Sequence, residues 1–482
     1  MTRDIDRNLL DASASLRDVL QRLNEGVYGA VFLVDADKRV LGMLTDGDVR
    51  RALLAGAVMA DPAAQCMNRN FVKGRTGAPH AENVAKLSEK VRHVPLLDES
   101  GRLVDMLSWA EMLRIPLMQP ALGGNELAYV SDCVTTGWIS SQGEYVQRFE
   151  QQFSDFLGGQ DALAVSSGTA ALHLALKALD IGPGDEVIVP DFTFAAPANV
   201  VLHCGATPVL ADVDRSTWTV DPGDIERRVS ERTRAIIPVH LYGHPCDMDR
   251  INAIARDNGL KVVEDCAEAQ GARYRGQPVG TLGDIGCFSF FSNKVITTGE
   301  GGMVTTANAE IADRLRLLRD HGMRRGRRYW HEIAGFNYRM TNLQAAVGVA
   351  QMERVDSFIE RRKEIGERYI SRLGDIPGLV MPPRQTWGET IYWIFSMQID
   401  PEIAGISRDQ LTVKLDARGI ETRPFFIPLH LQPPYKQPGE FTVSTEISST
   451  GISLPSGNDI SDAEIDRVCD TIGTILQSHK RI

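Results

Sequence analysis

The sequence predicts an α/β protein: a mainly parallel sheet covered by helices on both faces, in three layers, with a small C-terminal α+β domain and a separate unit in front. Three observations carry that expectation. Short β-branched runs alternate with helical patterns through the middle of the chain, as in DEVIVP from Asp185, TPVLADVD from Thr207, TRAIIPVHLYG from Thr233 and KVVEDC from Lys261; strands spaced by helices form parallel sheets buried on both sides. A loose repeat of about fifty residues runs through the first ~115 positions, which implies two copies of one supersecondary unit packed together. Two prolines in RIPLMQP, Arg114 to Pro120, deny a continuous helix and mark a join. The expected domains are 1–114, 115–376 and 377–482.

Composition narrows the class. With 482 residues, 43% hydrophobic and 24% charged, the chain is globular and too long for one ordinary core. A formal charge of -11 argues against a nucleic-acid partner. The charged start MTRDIDRNLLDAS is no cleavable signal, and no apolar run approaches the ~20 residues of a membrane span, so neither export nor a membrane is expected. Seven cysteines without a CxxC pair fit a reducing cytoplasm.

The front unit reads as a helix over Ser15–Asn24, strands over Gly29–Val34 and Val40–Leu44, and a turn into a basic helix over Thr45–Gly56. The echo consists of a helix over Val84–Val91, a hairpin from His93 (HVPLLDESGRL) and MLSWAEML from Met106. This half resembles a pair of cystathionine-β-synthase-type (CBS) domains. That resemblance implies an adenine nucleotide held by a Ser/Thr and an Asp three residues on, matched by Thr45 and Asp48, whereas the second copy offers Ser108 and Glu111. A regulatory sensor and a structural or dimerising appendage both remain open.

Beyond the join, a helix is expected over Asn125–Cys133, followed by the strand and helix alternation. Three stretches in it carry chemistry. In AVSSGTAALHLAL, Ala164–Leu176, small residues open a helix whose unpaired N–H groups form an anion site; an ordinary Ser/Thr cap is the alternative. In LKVVEDCAEAQGA, Leu260–Ala272, Asp265 closes a strand, where open α/β sheets place ligand chemistry, or caps a helix. In DIGCFSFFSNKVITTGEGG, Asp284–Gly302, Lys294 follows an apolar run, and burial there favours the neutral amine that attacks aldehydes; an ordinary lysine at a strand end is the alternative. Together they supply what pyridoxal phosphate needs, namely a phosphate cradle, a carboxylate for the ring nitrogen and an amine for the aldehyde. Phe194, in PDFTFAAPANV, adds an aromatic face.

SSGTAALHLAL, DFTFAAPANV, EDCAEAQGA, FSFFSNKVITTGEGGM and GFNYRMTNLQAAVG, in this order and across Ile115–Ile482, resemble the DegT-type sugar aminotransferases. The resemblance implies a pyridoxal-phosphate-dependent transferase of the aspartate-aminotransferase-like fold. It assigns Lys294 as catalytic, Gly168, Thr169 and Ser289 to the phosphate, Asp265 to the pyridine nitrogen, Phe194 to stacking, and Glu268 to the place facing the ring oxygen. It sends Asn337 to the phosphate of a neighbouring subunit, implying a homodimer or higher. Trp138, Ser140, Arg423, His430 and Tyr435 become candidate sugar contacts, with core packing as the alternative. Dehydrating relatives carry His where Lys294 stands, so the lysine favours transamination. The implied reaction takes an amino group from glutamate to the 4-keto group of a GDP-4-keto-6-deoxymannose. Alternatives are a UDP-linked keto sugar, or a non-catalytic scaffold that senses a nucleotide. Arg324, Arg325, Arg327 and Arg328 form either a solvated face or a grip on a diphosphate. His240, His244 and Cys246 match no strong ligand spacing, and no metal is expected there.

Overall fold

The computed structural model describes residues 5–25, 29–88, 90–109, 114–324, 326–327 and 329–479. They divide into two compact units, Met1–Arg114 and Ile115–Ile482. Among the described residues no helix is long and apolar enough to cross a membrane.

In the first unit the repeat shows as topology. Leu9–Asp11 runs parallel to Ala30–Val34, which pairs antiparallel with Val40–Thr45; Gly74–Arg75, His93–Leu97 and Leu103–Ser108 repeat that order and those directions. Phe32 of one copy and Met106 of the other share a buried cluster. The helix expected over Val84–Val91 is a correction: the helix spans His80–Val84 and the chain then turns. Ser88 Oγ accepts the Val91 N–H at 3.1 Å, and the Ser88 N–H returns to the Val91 carbonyl at the same distance. Val84, Leu87 and Val91 still meet Val94 and Leu107, so a turn delivers the apolar spacing that suggested a helix. Thr45 donates from both N–H and Oγ1 to Asp48 Oδ2, at 2.8 and 2.7 Å, closing a capping box on the helix Asp46–Leu54. Ser108 is buried, and Glu111 lies outside the described residues.

The second unit is organised on a seven-stranded sheet: β1 (Asp161–Val165), β2 (Glu186–Pro190), β3 (Thr207–Ala211), β4 (Thr233–Ile236), β5 (Lys261–Asp265), β6 (Ile285–Ser289) and β7 (Gly302–Thr306). The order is β1-β7-β6-β5-β4-β2-β3, with β7 antiparallel to both neighbours and the other pairings parallel. Successive residues feed opposite cores: Val304 and Cys287 enter one cluster, Met303 and Phe288 the other. Two buried faces account for runs without polar alternation. A second, four-stranded antiparallel sheet, Leu379–Val380, Phe395–Ile399, Gly451–Leu454 and Arg423–Pro424, packs on long C-terminal helices that end with Asp462–His479. The stretch ETIYWIFSMQI is not one strand: Glu389 ends the short strand Gly388–Glu389, Ile391–Ile394 are buried but irregular, with Tyr392 in the left-handed region at φ 47°, and Phe395–Ile399 form a second strand.

Candidate active site

The carboxyl ends of the parallel strands converge on one cavity of about 390 Å³. β1 ends at Val165 and turns through Ser166 and Ser167 into helix α1 (Gly168–Ala178). Ser167 caps that helix, its Oγ accepting the Ala170 N–H at 3.1 Å. The other first-turn N–H groups have no partner within the helix and face the cavity with the positive dipole end. Gly168 is required by contact: a Cβ there would lie 2.7 Å from the Cβ of Ser289, the last residue of β6. Gly302, at the start of β7, is equally confined, since its Cβ would meet the Ser167 carbonyl at 2.5 Å.

Asp265, the last residue of β5, is buried and accepts the Ala267 N–H at 3.0 Å. Burial raises its carboxyl above the ordinary value, against the Ala267 hydrogen bond and the Lys294 charge. Such a carboxylate gains from any cation brought to it. Lys294 enters with its side chain 11% exposed and its Nζ 3.9 Å from Glu268 Oε1. Burial pushes the amine below its ordinary value, while Glu268 and Asp265 pull it back. Burial pushes Glu268 up to about 7, opposed by Lys294 and by the Tyr242 N–H, which donates to Glu268 Oε2 at 3.0 Å. Tyr242 reaches it from the left-handed region, φ 51° and ψ 24°, which a bulky residue adopts only when its surroundings enforce it. Its ring stacks on Phe426 at 5.6 Å.

The loop that carries the lysine is braced by groups the sequence did not single out. Gln270 donates from Nε2 to the Ser289 carbonyl and accepts the Ile296 N–H at 3.2 Å. Trp393 donates its indole N–H to the Asn293 carbonyl at 2.7 Å. Trp393, Asn293 and Phe426 line the cavity. Trp393 lies in a stretch with strand composition, and nothing local marks its ring as facing a lysine.

Eight of the sequence-derived site residues line this cavity: Gly168, Thr169, Phe194, Asp265, Glu268, Ser289, Lys294 and Arg423. Phe194 is 59% exposed at its rim, 6.1 Å from the Phe426 ring. The other candidates stand elsewhere in the single chain. Trp138 and Ser140 are exposed, their carbonyls accepting from Asn342. His430 does not line the cavity; Asp191 holds it twice, accepting its Nδ1–H at 2.7 Å and its backbone N–H at 2.8 Å. Tyr435 donates to Asn199. Asn337 is exposed and accepts from Arg339. Of the arginine run, Arg324 pairs with Glu332 and Arg327 lies over Trp330; Arg325 and Arg328 lie outside the described residues.

His240, Glu264 and Cys266 lie close enough to hold a metal together, a different trio from the one the sequence suggested. The lone pairs of His240 and Glu264 are already engaged. His240 Nδ1 accepts the Cys246 N–H at 3.0 Å, its Nε2 meets Glu264 Oε2 at 3.0 Å, and Glu264 also accepts three N–H groups, from Gly280, Leu282 and Gly283. The trio fastens the end of β5 that presents Asp265.

Residues 120–473 match the DegT/DnrJ/EryC1/StrS aminotransferase family. The chain belongs to this family. Residues 1–55 match the CBS domain. Within the family the chain is 46% identical over 370 residues to a GDP-perosamine synthase of Caulobacter vibrioides, covering 76% of this chain and 100% of that protein. It is similar in structure to S. venezuelae DesV, solved in complex with a ketimine intermediate, with a TM-score of 0.69 at 37% identity, covering 73% of this chain and 94% of that one. Sugar aminotransferase Spr1654 of Streptococcus pneumoniae, described as putative and solved in its PLP form, gives a TM-score of 0.71 at 30% identity, covering 76% and 99%. The protein is thus a sugar-nucleotide aminotransferase of the pyridoxal-phosphate class, with a CBS domain at its N-terminus. The cavity fits that cofactor on its own chemistry: a helix terminus that excludes a Cβ, a buried carboxylate with one hydrogen bond from Ala267, and a desolvated amine.

Proposed function

We propose that the protein transfers an amino group from glutamate to the 4-keto group of a GDP-linked 4-keto-6-deoxymannose. The observation that carries the transamination is Lys294, desolvated and 3.9 Å from Glu268 in the cavity that also holds Asp265 and Gly168. Likeness to a GDP-perosamine synthase over that protein's whole length supports the sugar and its nucleotide.

Bound pyridoxal phosphate supplies an aldehyde that carries the amino group and a ring that takes up electrons while a proton moves. The N–H groups at Gly168 and Thr169, with Ser289, bind its phosphate. Asp265 keeps a proton on the ring nitrogen by offering a buried negative charge. Lys294 Nζ, partly relieved of its proton by burial, accepts and returns a proton as general base and acid. Glu268 stands within reach to hold that proton in turn, and Phe194 at the rim covers the ring. Arg423, which lines the cavity, would offer its positive charge to the substrate. Asn337, outside the cavity of its own chain, is assigned to the phosphate of a partner chain in a homodimer.

The test is an assay of GDP-linked and UDP-linked keto sugars with glutamate as donor. We expect turnover on the GDP-4-keto-6-deoxy sugar, and at least a ~10³-fold loss for Lys294→Ala in a protein that stays folded. Preference for a UDP sugar would overturn the substrate, and turnover by Lys294→Ala would overturn the site.

A further inference from the structure

Trp393 belongs to none of the motifs above, yet three of its parts are engaged around Lys294. Its ring centroid lies 3.8 Å from Lys294 Nζ. Its indole N–H fixes the Asn293 carbonyl, one residue before the lysine. Its own carbonyl accepts from Arg362 Nη1 at 2.8 Å. Arg362, on the helix Val355–Leu373, is 1% exposed, and the same nitrogen reaches Met118 Sδ at 3.2 Å and the Ser456 carbonyl. All three of these acceptors are neutral. A buried cation held by neutral acceptors is unfavourable on its own account. Burial accordingly pushes this guanidinium down to about 9. What the arrangement achieves is local: Arg362 grips Trp393 from behind, and Trp393 covers the lysine.

We propose that Trp393, held by Arg362, is a positioning residue that keeps water from the Lys294 amine and aims it into the cavity. The inference rests on the reading of Lys294 as the cofactor lysine. Two effects of the ring oppose each other. Its π face attracts an ammonium. Its bulk excludes water, and full burial disfavours the ammonium by up to about 3–5 pH units. The charged groups facing the amine are Glu268 and Asp265, which favour the cation, and Arg423, which disfavours it; Glu300 lines the same cavity. Burial is the largest influence on Lys294. The indole, its centroid 3.8 Å from Nζ, is part of what buries it, and on this proposal its shielding outweighs the ring's attraction.

The experiment labels the full-length, cofactor-free chain with trinitrobenzenesulfonate across a pH series and reads modification of the Lys294 peptide by mass spectrometry. For Trp393→Ala we expect the labelling midpoint to rise by about one pH unit as water returns to the amine. Trp393→Phe, which keeps a ring and loses the N–H, should rise less. Arg362→Met should move in the same direction as Trp393→Ala. Trp393→Phe preserves most of the bulk and decides the question if the alanine variant does not fold. An unchanged or lowered midpoint in the folded Trp393 variants overturns the proposal. Borohydride treatment of the wild-type holoenzyme separates the two claims. Failure to fix cofactor on Lys294 removes the underlying reading, whereas fixation with an unmoved midpoint removes only the role of Trp393.

Discussion

Glu268 shares a closed space with an amine, and the two cannot be treated apart. Its Oε2 takes the N–H of Tyr242, and its Oε1 faces Lys294. Because burial lifts this carboxyl from 4.5 to about 7, the fold favours its neutral form. Its favourable contribution is therefore complete below pH 4.5 and is lost as pH rises through about 7. Lys294 acts with the opposite sign, since its burial cost is relieved as pH rises toward 10.5. Glu268→Gln keeps an acceptor for Tyr242 and removes the titration. In the cofactor-free chain, the stability lost by the catalytic unit between about pH 5 and pH 8 should shrink by about 1–3 kcal/mol in this variant. Urea unfolding at both pH values measures it, and an undiminished loss would remove Glu268 as the titrating group.

At the scale of elements, the cradle exists because the start of α1 presses against the end of β6. Both sides of the Gly168–Ser289 contact are backbone-fixed, so Gly168→Ala forces one of them to move. We expect cofactor affinity to fall about tenfold or more, or 1.4 kcal/mol and upward, with the fold retained. Titrating the variant with pyridoxal phosphate and following absorbance tests this; wild-type affinity would show that the helix terminus does not bind the phosphate. This junction was legible in the sequence because its signals are local: an apolar run, then small residues, then a helical period. Asp265 was legible for the same reason, as an acid at the end of a β-branched run. Trp393 was not, because its position depends on an irregular buried turn at Ile391–Ile394 and on Arg362, about thirty residues upstream. The left-handed backbone of Tyr242 leaves no trace in residue type. His430 is named as a sugar contact by resemblance alone, and its partner Asp191, more than two hundred residues away, cannot be read from its own stretch. Local period also misled once, at Val84–Val91, where residues 87 and 91 reach the core by a turn.

For the whole molecule, the question is what the front unit adds to a catalytic unit that matches a relative over that relative's entire length. The entry segment answers part of it. Ile115 donates its N–H to the Gly419 carbonyl at 2.7 Å and accepts the Glu421 N–H at 3.0 Å, forming an edge beside the chain that leads to Arg423. Leu117 accepts the Ser456 N–H at 2.9 Å, and Ile115 and Leu117 are each 1% exposed. Two truncations should therefore differ sharply. Removing residues 1–113 leaves this edge intact, and turnover should stay within about threefold of the full chain. Removing residues 1–121 withdraws the buried Ile115 and Leu117 side chains, about 1.5–3 kcal/mol each, together with the buried Ala121, and frees the strand that carries Arg423. The melting temperature should fall and KM for the sugar nucleotide should rise. Adenine nucleotide added to both the full chain and the shorter truncation gives the remaining contrast, with any change in rate or melting temperature confined to the full chain. If removal of 1–113 alone abolishes turnover, the front unit is structural for the site, and the match to the shorter relative no longer describes an independent enzyme.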